Sequence, residues 1–554
     1  RARNNYFFHY QILTLLIYIF WIFLGSITIK YMLTFLGHAG FMYETENEIL
    51  LMDPWMSTTG AFDSSWYQFP SNHSLGDEVR KIIETSDKEV YIYISHEHKD
   101  HFDVPFLQTL KLSKINFITP KFRRDHVASV LNKLSPKSVN TPIDSELVNI
   151  GNLEIRLFLD DQEIVRDSAL GLYDKDSDFT FLNLNDCKVY DRVDELFEIY
   201  KKFNIFTCQF SGAVFHPVCY DYPEKKYYEI SESKVYGKFG SVKNLIDKFK
   251  PELYIPAAGP PVFLDPQLIS INYQNVNIFS SPFKFKNYLN DALPELNVEV
   301  SVPGSRFYFN DKKISVEHPV ENIEAQYDKK NIEHYAMKYD YIFSDRENQK
   351  STYDPLDVQK RLLAELDSKL KSFNIQQKMN ILMEFSLFEI EDTSIYIDFE
   401  SNEIDIIKKN KKSSDLTYEI SSSSGDVGRL LDGYLNWEDF MLSFRHKLKR
   451  TPDIYQVAVN GFLTMEKEDV PEFVDNLMRL QNQRERITVD VGGVLYSIDK
   501  FCPHQGSDLT THEIEDDRFI ICPKHRWSFD LEDEGRAVGH DASINAVDLD
   551  GDGS

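Results

Sequence analysis

An apolar run that ends in a dense set of metal-binding side chains is the feature that most constrains this chain. The segment "YIYISHEHKDHFD" starts with the alternation typical of a β-strand and continues into His96, His98, Asp100 and His101. Alternation along an extended backbone puts His96 and His98 on one side, whereas Asp100 and His101 lie on the following turn. Polar residues at the end of a buried strand are typical of sites on layered α/β folds. The pattern therefore predicts a metal site at a sheet edge, with a solvated charged loop as the alternative.

Two short loops near the C-terminus, "CPHQG" and "CPKHRWSFD", carry a second set of ligands. The first loop holds Cys502 and His504, and the second holds Cys522 and His525. Two thiolates and two imidazoles match a Rieske [2Fe-2S] centre, in which the cysteines bind one iron and the histidines bind the other. A Cys2His2 zinc site is the alternative. Zinc fingers, however, pair Cys with Cys and His with His, whereas each loop here contains one of each, which favours the Rieske centre.

The number and spacing of the cysteines indicate the cellular compartment and the type of cluster. The chain has 5 cysteines, widely scattered, which excludes a disulfide framework and favours a reducing compartment. No third cysteine lies near either loop, so the disulfide that staples the loops of respiratory Rieske proteins cannot form, which favours the lower-potential kind. We expect Trp527 and Phe529 to pack beneath the cluster, and His512 to be a surface residue.

The His-x-His-x-Asp-His pattern resembles the signature of the metallo-β-lactamase superfamily, which implies an αβ/βα sandwich. By that resemblance, His38 in "FLGHAGF" and Asp53 in "LLMDPWM" reach the rim of the site. Asp186 in "FLNLNDC" is then the later aspartate that bridges two metals in the superfamily.

The pattern departs from the superfamily at its two remaining histidines. The first region, "DDQEIVRDSALG", holds only acidic residues, namely Asp160, Asp161, Glu163 and Asp167, and the second, "YIPAAGPPVF", holds small residues. The nearest histidine is His216 in "QFSGAVFHPVCY". A full dinuclear zinc site is therefore not expected. His96, His98 and Asp186 have the composition of the facial triad that binds non-haem Fe(II), with zinc as the alternative metal; His101, Asp100 and Asp186 form an alternative triad.

A Rieske centre joined to a degenerate metallo-β-lactamase domain resembles CMP-N-acetylneuraminate hydroxylase and its bacterial relatives. The segments "QFSGAVFHPVCYDY" and "GYLNWEDFMLSFRHKLKRTPDIY", with "FLNLNDC" and "CPKHRWSFD", extend the resemblance over most of the chain from Met32. The resemblance implies hydroxylation of the N-acetyl methyl group of a sugar nucleotide, with O2 and electrons from a small redox protein or reductase. In that family the Rieske unit comes first, whereas here it comes last.

The pattern divides the chain into four segments. Residues 1–31 are an apolar leader or a membrane anchor, since residues 11–29 lack charge and are long enough to cross a bilayer. Residues 32–265 form the metallo-β-lactamase-like domain, 266–484 a mostly helical α+β middle region that completes the catalytic unit, and 485–554 an all-β Rieske domain. The predicted class is therefore α/β, in a cytoplasmic protein or one anchored facing the cytoplasm.

Net charge and motifs together lead to three functional hypotheses. A formal net charge of −27 excludes nucleic acid and favours a basic redox partner or a cation-rich pocket inside an acidic shell. The first hypothesis is a Rieske-coupled monooxygenase in which electrons enter through exposed edges of the cluster histidines, and His216 and His38 contact substrate. The second is a metal-dependent hydrolase that binds zinc and carries an appended Rieske sensor. The third is a non-catalytic electron carrier. Arg123 and Arg124 are candidates to bind a substrate phosphate or carboxylate, although a solvated helix start explains them better.

Overall fold

Two mixed β-sheets pack face to face and form the larger part of the protein. The structure, a computed structural model, describes residues 32–161, 166–373, 379–409, 414 and 416–550. The first sheet has the order β14-β13-β1-β2-β3-β4-β5-β6, and the second has the order β12-β11-β10-β9-β8-β7. The first comprises β1 (Met32–Gly37), β2 (Gly40–Glu44), β3 (Glu48–Met52), β4 (Glu89–Tyr93), β5 (Ile115–Ile118), β6 (Ser138–Asn140), β13 (Arg306–Asn310) and β14 (Lys313–Glu317). The second comprises β7 (Leu147–Ile150), β8 (Leu153–Asp161), β9 (Arg166–Asp174), β10 (Phe179–Asn183), β11 (Ile205–Gln209) and β12 (Leu253–Ala257).

Helices cover the outer face of each sheet, so the layers follow the order helix, sheet, sheet, helix. Phe41 from the first sheet and Phe181 from the second meet in the core between the sheets, with ring centroids 5.2 Å apart. The first sheet is covered by α1 (His73–Thr85), α2 (Val104–Leu107) and α3 (His126–Lys133), and the second by α4 (Val193–Tyr200), α5 (Glu224–Phe249) and α6 (Pro282–Ala292). The predicted α/β class is confirmed.

The middle region, which the sequence indicated as mostly helical, contains a five-stranded sheet. Its helices are α7 (Ile323–Gln326), α8 (Lys330–Met337), α9 (Asp340–Lys350), α10 (Pro355–Ser372), α11 (Ser424–Leu431), α12 (Trp437–Leu442), α13 (Val457–Thr464) and α14 (Val470–Gln481). Its strands are β15 (Ile381–Leu387), β16 (Thr393–Asp398), β17 (Glu403–Lys408), β18 (Leu416–Ser422) and β19 (His446–Thr451). Two of the strands, β17 and β19, form the edges of this sheet and are rich in charged residues. They therefore lack the apolar pattern by which a strand is predicted from sequence.

The C-terminal unit consists of two small antiparallel sheets. One contains β20 (Arg486–Val491), β21 (Val494–Asp499) and β26 (Val547–Asp548), and the other contains β22 (Glu513–Glu515), β23 (Phe519–Ile521), β24 (Ser528–Asp530) and β25 (Arg536–Ala537). Gly492 and Gly493 join β20 to β21 and both have positive φ. A two-residue hairpin loop needs that backbone conformation, which glycine adopts without steric cost.

Among the residues described, no helix is both long and apolar enough to cross a membrane. The apolar stretch at residues 11–29 lies outside the described residues. The interpretation of that stretch as a leader or an anchor therefore stays a prediction.

The two packed sheets and the helices that cover them are called the large domain below. A carboxylate, Asp63, joins the middle region to this domain. Its oxygens lie 2.8 Å from Arg346 Nε and 2.6 Å from Arg429 Nη2, and its carbonyl accepts a hydrogen bond from Arg445. Burial alone would raise the pKa of Asp63, but the three guanidinium charges outweigh it and hold the pKa below its usual range. Elements far apart in sequence are therefore held together by one ion network.

We expect Asp63→Asn to lower the free energy of unfolding by about 3–5 kcal/mol, because it leaves Arg429 without an acidic partner among the described residues. It also removes one of the carboxylates that pair with Arg346 and with Arg445. Urea denaturation followed by far-UV circular dichroism measures this. Because the folded pKa is lowered, the contribution is present above the pKa of the unfolded carboxyl group and is lost on acidification below it. Asp367→Asn is the control, since its exposed pair with Lys371 is worth at most about 1 kcal/mol. Equal losses in the two variants would contradict the prediction.

Candidate functional site

The loop after β4 gathers ligand side chains from neighbouring strand ends. Strands β3 and β4 are parallel, so their carboxyl ends meet at one edge of the sheet. Asp53, after β3, accepts hydrogen bonds from the backbone N–H and the hydroxyl of Ser95, after β4. The loop then turns back on itself through hydrogen bonds from the backbone N–H groups of His101 and Phe102 to the carbonyl of His98. Two strands and one tight turn thus fix the predicted cluster.

The first ligand group consists of His96, His98 and Asp186, whose ligand atoms all lie within 4.8 Å of one another. His96 Nε2 and His98 Nδ1 are 2.8 Å apart, so the two imidazoles face the same point. Asp186 comes from the other sheet, on the loop after β10. These are the three residues that the sequence suggests as a facial triad, and the fold brings them together.

A second ligand group adjoins the first and consists of His38, Asp100 and His101, all buried. His38 Nε2 lies 3.1 Å from Asp100 Oδ2, and His101 Nε2 lies 3.6 Å from Asp186 Oδ1, so Asp186 stands between the groups. The sequence led us to expect only one metal, and here the structure differs. The turn between β1 and β2 brings His38 into the site from a position that the sequence suggested only for its rim.

The donor atoms fit metal cations. Asp100 Oδ1, His101 Nε2 and Asp186 Oδ1 are buried and have no hydrogen-bond partner among the described residues. Burial would raise the pKa of Asp186, but the charge of His101 beside it holds the pKa well below its usual range. A mixed imidazole and carboxylate set suits Fe(II) or Zn(II). Each group offers three ligands, enough to hold one divalent cation.

Three histidines of the site, His96 and His98 of the first group and His101 of the second, each have one ring nitrogen close to a carboxylate. His98 Nε2 lies 3.1 Å from Glu438 Oε1, His101 Nδ1 lies 2.9 Å from Asp53 Oδ2, and His96 Nδ1 lies 3.3 Å from Asp167 Oδ1. Burial lowers the pKa of His98, but the charge of Glu438 outweighs it and raises the pKa to about 10. Carboxylates in this position fix the orientation of a metal-bound imidazole and strengthen it as a ligand.

Backbone strain in two residues of this region also indicates a functional site. His38 and Asp53 have φ of 49° and 41°, in the left-handed region that residues other than glycine rarely adopt. Such strain persists only where the surrounding structure fixes it, and it concentrates at functional sites.

The sequence did not identify Glu438 and Asp167 as parts of the site. Glu438 lies on α12 of the middle region, inside the segment "GYLNWEDF", so its role depends on how that region packs. Asp167 was noted only as an acidic residue where a histidine was expected. Burial raises the pKa of Asp167 to about 7.

Three predicted contact residues lie elsewhere. His216 belongs to neither ligand group among the described residues, and its Nε2 lies 3.1 Å from the Tyr222 hydroxyl and 3.4 Å from Arg450 Nη2. Arg124 pairs with Glu472 of α14 at 2.9 Å, and Arg123 lies 3.9 Å from Asp161. The arginines therefore serve packing between elements in this structure, and their role as substrate contacts stays a prediction.

We expect Glu438→Gln to weaken metal binding about 10–100-fold, because an amide holds the His98 imidazole less firmly than a carboxylate does. Metal content after dialysis against graded chelator concentrations measures the affinity, and far-UV circular dichroism checks the fold. Glu468→Gln, at an exposed neighbouring position, should retain wild-type affinity. An unchanged affinity in Glu438→Gln would exclude the positioning role.

The two cysteine loops of the C-terminal unit share one backbone design. The N–H of Cys502 donates to the carbonyl of Ser507, and the N–H of Cys522 donates to that of Trp527. In each loop the residue four positions after the cysteine, Gly506 or Arg526, has positive φ and donates back to the cysteine carbonyl. Equivalent turns place both sulfurs in the same way, although the histidine follows at different spacing.

The four side chains of these loops converge. The thiol of Cys502 donates to Cys522 and lowers the pKa of Cys522 to about 7, and both cysteines are buried. The imidazoles of His504 and His525 have centroids 4.6 Å apart, and His504 Nδ1 is buried without a hydrogen-bond partner among the described residues. Two sulfurs and two neighbouring imidazoles fit a [2Fe-2S] cluster with mixed ligands.

Aromatic rings and the large domain enclose the loops. Trp527 stacks on His504 with centroids 4.3 Å apart, and it stacks on His540 at 3.8 Å. On the other side, Lys188 Nζ lies 3.1 Å from His525 Nε2. His525 therefore faces the large domain, and both cluster histidines are half-buried, whereas the sequence led us to expect exposed edges.

Comparison with known proteins agrees with this geometry. Residues 462–547 match the Rieske [2Fe-2S] domain family. The C-terminal unit is a Rieske domain. A Mycolicibacterium smegmatis protein named as a Rieske 2Fe-2S iron-sulfur protein is 24% identical, over 92% of this chain and 98% of its own. The family match therefore covers the loops that carry all four cluster ligands.

Similar solved structures each cover about half of the chain. The metallo hydrolase Igni18 from Ignicoccus hospitalis is 14% identical with a TM-score of 0.34, covering 50% of this chain and 98% of that chain. CmlA from Streptomyces venezuelae, a diiron β-hydroxylase, is 12% identical with a TM-score of 0.31, covering 50% of this chain and 53% of that chain.

We expect Cys502→Ser and His525→Ala to lose the visible absorbance and the reduced-state paramagnetic resonance signal of the cluster. Each change removes a ligand, while the large domain has a separate core and should keep its far-UV spectrum. His512 is half-buried and lies outside the ligand set, so His512→Ala provides a control that should keep the spectrum. Retention of the iron–sulfur spectrum in either ligand variant would contradict the ligand assignment.

Proposed function

We propose that this protein is a Rieske-coupled oxygenase that hydroxylates an unactivated C–H bond with O2 and external reductant. The observation that carries the proposal is the contact between Lys188 and the cluster ligand His525, 3.1 Å apart. Lys188 lies two residues after Asp186, which belongs to the first ligand group. One short loop therefore touches both centres within one chain. When bound, the cluster supplies single electrons and the iron supplies a site for O2.

The chain holds the two centres in a fixed relation. Lys524, next to the cluster ligand His525, forms a buried ion pair with Asp160 on β8 at 2.8 Å. Asn244 on α5 donates to Glu513 of the Rieske domain at 2.7 Å. A buried pair is costly to separate, so these contacts favour a docked Rieske domain over a mobile one.

The finer parts of the proposal come from the resemblance to CMP-N-acetylneuraminate hydroxylase. The substrate we propose is the N-acyl group of a sugar nucleotide such as CMP-N-acetylneuraminate. A small redox protein or reductase would deliver the electrons, in the cytoplasm. His96, His98 and Asp186 hold the metal at which we expect the reaction to occur.

The second ligand group supports a second candidate function. His38, Asp100 and His101 give the site room for two cations, as in a metal-dependent hydrolase of the metallo-β-lactamase class. Such an enzyme would use the Rieske domain only as an electron-transfer or sensor unit.

Oxygen labelling separates the two candidates. We expect the iron-loaded protein, given reductant and oxygen-18 gas, to introduce one labelled oxygen atom into CMP-N-acetylneuraminate or into a component of a cell metabolite extract, as read by mass spectrometry. His96→Ala should lower the yield at least about 100-fold while the cluster remains reducible, because the metal loses one of three ligands. Asp100→Ala tests the second group, since a two-metal hydrolase would lose as much activity there. Product formation without oxygen and reductant would overturn the oxygenase in favour of the hydrolase.

A further inference from the structure

Three lysines without a carboxylate partner gather between the two centres. Lys188 follows Asp186, while Lys234 and Lys238 lie one turn apart on α5, and none of the three forms an ion pair within the described parts of the chain. Other lysines on the same helix are paired, as Lys225 is with Glu229 and Lys243 with Asp247. In a chain with 88 acidic and 61 basic residues, unpaired lysines that cluster need an explanation.

The position of α5 places these lysines beside the Rieske loops. A Cβ built on Gly237, between the two lysines of the helix, would lie 3.6 Å from Cδ of Arg526, next to the cluster ligand His525. Asn244, two turns further along, contacts Glu513 of the Rieske domain. One face of α5 therefore borders the Rieske domain, and the lysines flank that contact.

Lys238 also contacts residues close to the loop that carries Asp186. Lys238 Nζ donates to Gln209 Oε1 at 3.1 Å and to the Tyr190 hydroxyl at 3.3 Å, both from elements next to the Asp186 loop. Burial lowers the pKa of Lys238 to about 8, and the charge of Lys188 adds to this effect. The lysines therefore lie within electrostatic reach of each other and of Asp186.

Like charges near one another repel, and none of these three lysines has a carboxylate in ion-pair contact among the described residues. Lys234 is exposed, so its ammonium group stays charged at pH 7. Asp186 and Asp167 partly offset the charge of Lys238. A metal cation bound to Asp186 would cancel the effect of the Asp186 charge on Lys238, and the group of three lysines would then be more positive. An anion is the ligand that relieves the repulsion.

We propose that Lys188, Lys234 and Lys238 bind a multiply charged oxyanion, either a phosphate or a polycarboxylate, between the Rieske cluster and the metal site. Ammonium groups bind phosphate and carboxylate oxygens through charge-assisted hydrogen bonds. The oxyanion is the charged group of the substrate, a point that rests on the proposed function, whereas the binding site itself does not.

Calorimetric titration of the metal-loaded, full-length protein tests the site without oxygen or reductant. The probes are phenylphosphonate, phthalate and neutral benzamide, at pH 7 and at two salt concentrations. We expect one or both anions to bind more weakly at higher salt, and benzamide not to bind. Tighter binding of phenylphosphonate indicates a phosphate ligand, and tighter binding of phthalate indicates a carboxylate ligand. Equal binding of benzamide and the anions, or no anion binding, would overturn the proposal.

Variants on one helix assign the binding to these residues. Lys234→Met and Lys238→Met should each raise the dissociation constant about tenfold or more, because each removes one charged donor. Lys243→Met, which breaks only a surface pair with Asp247, should bind as the wild type does, and Lys238→Arg should retain most of the affinity. The visible spectrum of the cluster confirms that each variant is folded. Wild-type affinity in both Lys234→Met and Lys238→Met would exclude the site.

Failure of the anion site and failure of the oxygenase give different results. If the anion binds through these lysines but no labelled oxygen enters any compound, the site stands and the oxygenase proposal fails. If labelled oxygen is introduced equally by the wild type and by Lys234→Met and Lys238→Met, the oxygenase stands and the anion site is wrong.

Discussion

Burying ionisable ligands is the constraint on which this structure depends. A buried charge is tolerated only when it is paired, and the site meets this requirement with carboxylates that hold the outer nitrogens of its histidines. Asp53 and Asp167 come from the two sheets of the large domain, whereas Glu438 comes from the middle region. The middle region therefore does more than cover the sandwich, because it supplies a partner that orients a predicted ligand. The ion network around Asp63 keeps that region in place and so has an indirect role in the geometry of the site.

The same logic governs the contact between the Rieske domain and the large domain. Lys524 is buried against Asp160, and separating the two would expose an unpaired charge on each side. The consequence is that His525 lies against Lys188 of the Asp186 loop. Charge pairing, which is a matter of stability, here also decides how the two domains face each other.

The net charge of the whole molecule and the local charge between the two centres have opposite signs. At the level of the whole molecule the protein is strongly acidic, which disfavours phosphate-rich partners such as nucleic acid. Between the two centres the sign reverses, since Lys188, Lys234 and Lys238 lack acidic partners among the described residues. An acidic exterior would disfavour large polyanions, whereas this local group of lysines would favour a small anion, as we propose above.

Local patterns in the sequence determined a good part of this protein. The ligands of the cluster follow from two short loops, and His96 and His98 of the first metal group follow from a strand that ends in histidines, because these residues are close in sequence and need little from the rest of the fold. Asp186, the third member of that group, is distant in sequence and joins the histidines only because the two sheets pack together. The α/β class follows from alternating apolar runs. Only the tertiary structure decided that His38 completes a second group, that Glu438 orients His98, and that the cluster histidines face inward. Each of these contacts joins residues far apart along the chain, and their proximity depends on how sheets and domains pack, which no local pattern of hydrophobicity or spacing encodes.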